Sequence, residues 1–264
     1  MRQIDRLHYM DSLRAAAMFL GLVLHASVID SQFTIDFLRT HDEPSMLLRY
    51  VIELIHVCRM QLFFLVAGFF SMMVCQKRGV VSYAKNRLFR IFVPFVLCVF
   101  LIQPWLAGHF LLDITASSEP VFSQYINYLV NPGYIVREPG FLGNWFWHFW
   151  FMHLLIYFIG AFLICQIVIK KLNIKFAFVP KFLNLLGGKL GILVLALLTY
   201  PILLISPPFA EVPTIGTSLE IVFYYGLFFF LGVLFFTDVA VFDRFQTNIK
   251  YHFMPFVICL YFVC

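Results

Sequence analysis

The sequence predicts an all-α fold, a polytopic transmembrane helix bundle of about seven helices with the last one incomplete. Three observations carry that prediction. Of the 264 residues, 62% are hydrophobic and 12% charged, about half the charged fraction of an ordinary soluble domain. Mean hydropathy is +0.88. The apolar residues gather into runs of roughly 20, the length that crosses the hydrocarbon core of a bilayer. A soluble domain of this size has too little interior to hide so much apolar surface. Disorder is excluded as well, because disordered chains are poor in aromatic residues, and Phe alone occurs 34 times here.

Windows of membrane-spanning length give seven segments, 12–31, 47–75, 90–112, 146–169, 190–206, 219–237 and 251–264. The first follows Arg2 and Arg6 and has the outline of a signal peptide. Arg14 and His25 inside it, and the spans after it, mark it as a retained helix. The second is long enough to tilt or protrude. Residues 113–145 form the longest connection, with turn signals at Asn131-Pro132-Gly133 and Pro139-Gly140. Its aromatic end, Trp145-Phe146-Trp147, suits an interfacial belt. Pro207-Pro208 ends the fifth segment. The seventh stops at Cys264 with no loop, charge or cap after it, so the expectation is a C-terminally truncated chain that ends within a helix. The loops are too short for a second soluble domain, and a single domain over 1–264 is expected.

Orientation follows from the loop cations. With the N-terminus cytoplasmic, the inner loops hold Arg2 and Arg6, the basic residues from Lys77 to Arg90 and from Lys170 to Lys189, Arg244 and Lys250. The outer loops hold only Arg39, Arg49 and Arg137. Cations distributed in this way are a topology signal rather than a nucleic-acid stripe. The six cysteines are scattered without CxxC or zinc spacing, and they read as small buried hydrophobes. Walker A, GxGxxG, GxSxG and EF-hand patterns are absent from the sequence, which leaves nucleotide hydrolysis and serine-hydrolase chemistry unsupported.

Ionisable residues in the first two helices carry the chemical interest: Asp11, Arg14, His25, His56 and Arg59. Such groups are costly in lipid and normally face the bundle interior or a wet cavity. Arg14 and His25 are eleven residues apart, close to three whole turns, so they share a helix face about 16 Å apart along the axis. Asp11 and Arg14 stand at i, i+3 and can pair. That arrangement suits a phosphate-bearing donor gripped from the cytoplasm and a reaction deeper in the membrane. A structural ion pair and a packed histidine account for the same spacing. His56 and Arg59 also share a face, within reach of Glu53, and suit either a helix-packing clamp or a site. Arg87 and Arg90 begin the third segment at i, i+3. They read as phosphate-gripping planar donors or as plain positive-inside charge. His148 and His153 are five apart, the wrong geometry for an HExxH zinc site, and no metal site is expected.

These residues resemble the acyltransferase-3 family of integral membrane acyltransferases. Tyr9-Met10-Asp11-Ser12-Leu13-Arg14 followed by His25 is similar to the family's Arg-x10-His opening. Phe63-Phe64-Leu65-Val66-Ala67-Gly68-Phe69-Phe70 is similar to its Phe-Phe-Val-Leu-Ser-Gly-Phe stretch, with Ala67 in place of the serine. Arg87-Leu88-Phe89-Arg90 resembles its cytoplasmic Arg-x-x-Arg, and Trp150-Phe151 its Leu-Trp-Phe segment. Ile55-His56-x-x-Arg59-Met60-Gln61-x-Phe63-Phe64, Pro207-Pro208 and the Phe228–Phe236 stretch resemble the branch that succinylates osmoregulated periplasmic glucans. Members of the family resemble ten-helix proteins, against the seven segments here.

The resemblance implies an acyltransferase of the bacterial inner membrane. Its donor would be a cytoplasmic acyl-CoA, succinyl-CoA for this branch, and its acceptor a hydroxyl of a periplasmic glucan or related carbohydrate. No bound cofactor is implied. His25 would be the general base, with Arg14 and Asp11 completing the catalytic group. Arg14, Arg87 and Arg90 would neutralise donor phosphates. His56 and Arg59 would line the acceptor side, with Arg59 facing the donor's distal carboxylate. Two other readings of the residues stay open, a proton-coupled transporter and an inactive truncated remnant of the acyltransferase.

Overall fold

Long apolar runs with few helix breakers become helices because in lipid each backbone amide must be satisfied within its own segment. The computed structural model describes residues 8–28, 46–102, 123, 149–174, 177–205 and 219–251. Nearly all of them are helical. In chain order the helices are α1 (His8–Val28), α2 (Met46–Arg78), α3 (Val80–Arg87), a π-helical turn (Leu88–Phe92) and α4 (Val93–Leu101). They continue with α5 (Trp150–Leu172), α6 (Val179–Gly187), α7 (Gly191–Ile205), α8 (Leu219–Thr237) and α9 (Ala240–Thr247). Helices α1, α2, α4, α5, α7 and α8 fall on the first six of the seven expected segments, and α8 coincides with its segment at both ends, while α3, α6 and α9 lie between segments. The seventh segment, apart from Tyr251, and the 113–145 connection, apart from residue 123, lie outside the described residues.

Three stretches are long and apolar enough to cross a membrane: Cys58–Arg78 in α2, and the whole of α5 and α8. A fourth is the pair Val179–Gly187 and Gly191–Ile202, bent by 107° at the break, if the pair acts as one span. Large apolar side chains that point outward, among them Leu22, Leu97, Ile164, Leu197 and Phe223, are more than half exposed. In a bilayer this is the expected surface, because lipid tails are as apolar as the side chains that meet them.

Of the expected third span, 90–112, residues 90–102 are described and lie in a longer helical stretch. Helix begins at Val80, ten residues earlier, and widens into the π turn immediately before Pro94. Proline has no N–H for the carbonyl four residues back and its ring crowds that carbonyl. A wider i→i+5 turn just upstream relieves the conflict. Gly79 separates α2 from α3 at φ 80°, ψ 162°, a conformation essentially reserved for glycine. Gly79→Ala should therefore lower stability by about 1–3 kcal/mol, measurable as a shift in unfolding midpoint in detergent. At the end of α5 the left-handed position is held by Asn173 at φ 49°, which asparagine tolerates at helix C-termini.

The chain divides into two compact units. The first comprises Met1–Met73, Phe176–Ile205 and Phe223–Cys264. Its core includes Met10, Val66, Phe69, Leu183, Leu186, Leu231, Phe235, Phe236 and Val241, drawn from α1, α2, α6, α8 and α9. Phe69 meets Phe236 edge to face, with ring centroids 5.2 Å apart, the arrangement that ring quadrupoles favour. Where α2 crosses α8, Gly68 and Gly232 bring backbone against backbone. A Cβ on Gly68 would fall on the Phe229 carbonyl, and one on Gly232 on the Leu65 carbonyl. Helices α6 and α9 pack together through Gly187. Asn248 Nδ2 donates to the Gly187 carbonyl at 3.0 Å, and Arg244 pairs with Asp238 at 2.6 Å.

The second unit comprises Val74–Lys175 and Ser206–Val222. Within it Tyr83 of α3 is fully buried against Phe162 of α5, edge to face at 5.5 Å. Phe95 of α4 stacks on His153 of α5 with centroids 6.3 Å apart and planes 8° apart.

Candidate functional site

Helix α1 carries Arg14, Gly21 and His25 at spacings of seven and four, which places the three positions on one stripe of an α-helix. Two contacts tie that stripe to α2 within the first unit. The Arg14 guanidinium lies over the Phe70 ring, 5.7 Å from its centroid. Further along, the Arg59 side chain lies against Gly21, where a Cβ would come within 3.0 Å of its Nη1 atom. One contact pairs a low number on α1 with a high one on α2, and the other does the reverse. The two helices are therefore antiparallel neighbours. Continued by one turn, this register sets backbone position 25 level with the turn of α2 that holds positions 55 and 56. The side chains of His25 and His56 themselves lie outside the described residues.

Arg59 stands near the end of the α2 span opposite the basic pair Lys77 and Arg78. It is half-buried, and its Nε is enclosed with no hydrogen-bond partner among the described residues. It interacts electrostatically with Tyr225 of α8. Two residues along, Gln61 Nε2 donates to the Tyr224 hydroxyl at 3.1 Å. The rings of Tyr224 and Tyr225 meet at 5.2 Å, and Tyr225 packs on Phe64 at 5.1 Å. Three helices thus converge on a polar cluster at membrane depth, where each polar group is costly unless it is used. Gln61, Tyr224 and Tyr225 are additions to the sequence-derived site. Gln61 carried a signal, an amide in an apolar run, but its partner is 163 residues away. Asp11 occupies the first turn of α1 and is half-buried.

In the second unit the expectation that Arg87 and Arg90 share one face is corrected. The π turn starts at Leu88, between the two, and its wider winding rotates position 90 away from the i, i+3 placement of an α-helix. Their surroundings differ accordingly. Arg87 is half-buried, with its guanidinium 5.0 Å from the centroid of the Tyr83 ring. Arg90 is exposed within the π turn. His153 is buried between Phe95 and Tyr157, and His148 lies outside the described residues. Among the described residues no group of three or more His, Cys, Asp or Glu side chains is placed to hold a metal ion.

The apolar helices are those of a multi-pass membrane protein, and the family match makes it an integral membrane acyltransferase. The chain belongs to the acyltransferase-3 family, whose model, described as an acyltransferase domain, matches residues 7–264. Among curated proteins it is similar to the glucans biosynthesis protein C of Shigella dysenteriae serotype 1 (strain Sd197), at 35% identity over 95 residues. The protein of the same name from Escherichia coli O1:K1 is 34% identical over 95 residues. Each match covers 36% of this chain and 24% of the relative, so the aligned stretch is about a quarter of the length of these relatives. No solved structure matches.

Proposed function

We propose that this protein is a membrane O-acyltransferase that moves an acyl group, succinyl in the first instance, from cytoplasmic acyl-CoA to a hydroxyl of a periplasmic glucan. The observation that carries the reading is the family match over 7–264, joined to the α1–α2 register that sets the His25 position one turn from the Arg59 contact. The glucan acceptor is drawn from the name of the relatives. The N-terminus is cytoplasmic and the membrane is the bacterial inner membrane, in keeping with the loop cations. Residues 1–264 act as one acyltransferase domain.

In this mechanism His25 takes the proton of the acceptor hydroxyl as its oxygen attacks the thioester carbonyl. The carbon–sulfur bond then breaks, and the CoA thiolate leaves and takes up a proton. Histidine suits the step because an ordinary pKa of about 6.5 lets it accept and return a proton near neutrality. Arg14, beside Asp11 at the cytoplasmic end of the helix, is a donor-side cation. In the other unit Arg87 and Arg90 have the same role, since planar guanidinium groups match phosphate oxygens. His56 and Arg59 lie on the acceptor side.

The test is transfer of radiolabel from succinyl-CoA to glucan by membranes that contain the full-length protein. Stoichiometric CoA release with labelled glucan is the expected result. Label from acetyl-CoA alone would change the acyl group, and absence of transfer from any acyl-CoA would remove the reading.

A further inference from the structure

We propose that Arg59, Gln61, Tyr224 and Tyr225 form the acceptor subsite, and that the Gln61–Tyr224 pair reads a hydroxyl of a polyhydroxylated substrate. The inference rests on the acyl-transfer reading and deepens it, adding Gln61, Tyr224 and Tyr225 to the Arg59 position. Within the first unit Arg59 stands two residues before Gln61 on α2, Gln61 donates to Tyr224, and the two tyrosine rings touch. The cluster stands at the end of the α2 span away from Lys77 and Arg78, and in the first half of α8. Under the proposed orientation this is the periplasmic side, where a glucan arrives.

The unmet needs of the cluster identify the ligand chemistry. Arg59 Nε is a donor and Gln61 Oε1 an acceptor, and both are enclosed without a hydrogen-bond partner among the described residues. Native interiors rarely leave such groups unsatisfied without a functional reason. A carboxylate offers only acceptors, so it would answer Arg59 and leave Gln61 Oε1 unmet. An alcohol both donates and accepts, and a sugar carries several alcohols side by side, so one ligand can meet both. Phe64 packs on Tyr225 and Phe228 on Tyr224, and these buried rings hold the tyrosine pair in place. This chemistry favours acceptor recognition by Arg59 over the distal-carboxylate role. Gly21 is part of the design, because its missing side chain leaves room for the guanidinium beside α1.

The experiment uses the full-length protein in nanodiscs, with Gln61→Leu and Tyr224→Phe as variants and a neutral glucose oligosaccharide as probe. Oligosaccharide binding is measured without donor, and KM is measured separately for oligosaccharide and acyl-CoA. The expected result is roughly tenfold weaker binding and roughly tenfold higher acceptor KM in either variant, the size of one lost hydrogen bond of about 1.4 kcal/mol, with donor KM unchanged. Unchanged oligosaccharide binding in variants that still transfer acyl groups would overturn the subsite and leave the acyl-transfer reading standing. Wild-type binding that both variants lose, in a protein that transfers nothing, would support the subsite while removing the reaction. A rise in donor KM alone would overturn the subsite in favour of carboxylate recognition. Tyr224→Phe removes a single oxygen atom, so it remains informative if Gln61→Leu fails to fold.

Discussion

Alanine at Gly68 or at Gly232 is expected to unfold the α2–α8 crossing, the largest stability effect of a single added methyl group among the described glycines. The two sites are reciprocal. A Cβ on Gly68 meets the Phe229 carbonyl, with the Val233 nitrogen at 3.2 Å, and one on Gly232 meets the Leu65 carbonyl, with the Phe69 nitrogen at 3.0 Å. Each obstacle is backbone, so no rotamer change can make room, and the helices must move apart. That movement would loosen the Phe69–Phe236 contact and the surrounding core. Overpacking a well-packed interface costs about 1–3 kcal/mol and sometimes more, and a backbone collision belongs at the upper end. Close approach at small residues is also how helices associate in lipid, where burial itself gives little drive. Once one glycine is replaced the crossing is already spread, so the double substitution should cost much less than the sum of the singles. Unfolding in detergent measures this, with Gly160→Ala as control. A Cβ there meets nothing within 4 Å, and alanine should add helix propensity, about 1 kcal/mol at most. A Gly68→Ala protein that melts with the wild type would show that the helices do not cross at this distance.

The elements legible in the sequence are those where one physical effect dominates over a whole span. Residues 219–237 were bounded correctly because a long aromatic run flanked by turns and charges leaves nothing else to decide. Helices α6 and α9 were not anticipated, since an average over about 20 residues hides nine- and eight-residue amphipathic helices. Their buried Leu183, Leu186 and Val241 are nevertheless core residues of the first unit. The π turn escaped because hydrophobic patterning is blind to a local widening, although Pro94 was a signal for it. In the site, the Arg14 and His25 stripe followed from helix spacing alone. The Arg59–Gly21 contact and the Gln61–Tyr224 bond did not, because each depends on how separate helices pack. The pairing of Arg87 with Arg90 was inferred from an ideal helix that the π turn does not provide.

His25→Ala is expected to lower acyl transfer by about 100- to 10,000-fold, the range for loss of a positioned general base. Position 25 belongs to the last turn of α1. The register of α1 on α2 sets this turn one turn from the Arg59 contact, at the end of the polar cluster where the proposed acceptor enters. A base at this point predicts a loss in kcat rather than in acceptor KM, because the proton moves only as the bond forms. The subsite variants should show the opposite pattern, and the split between the two sets separates chemistry from binding. Gly21→Val provides an independent arm. It leaves His25 in place and crowds Arg59 out of its position at 3.0 Å from the new Cβ, so acceptor KM should rise while donor KM holds. Single-turnover transfer from labelled acyl-CoA measures the chemical step directly. A His25→Ala protein that turns over at the wild-type rate would remove His25 from the proton path. His153, buried between Phe95 and Tyr157 in the other unit, would then be the next histidine to replace.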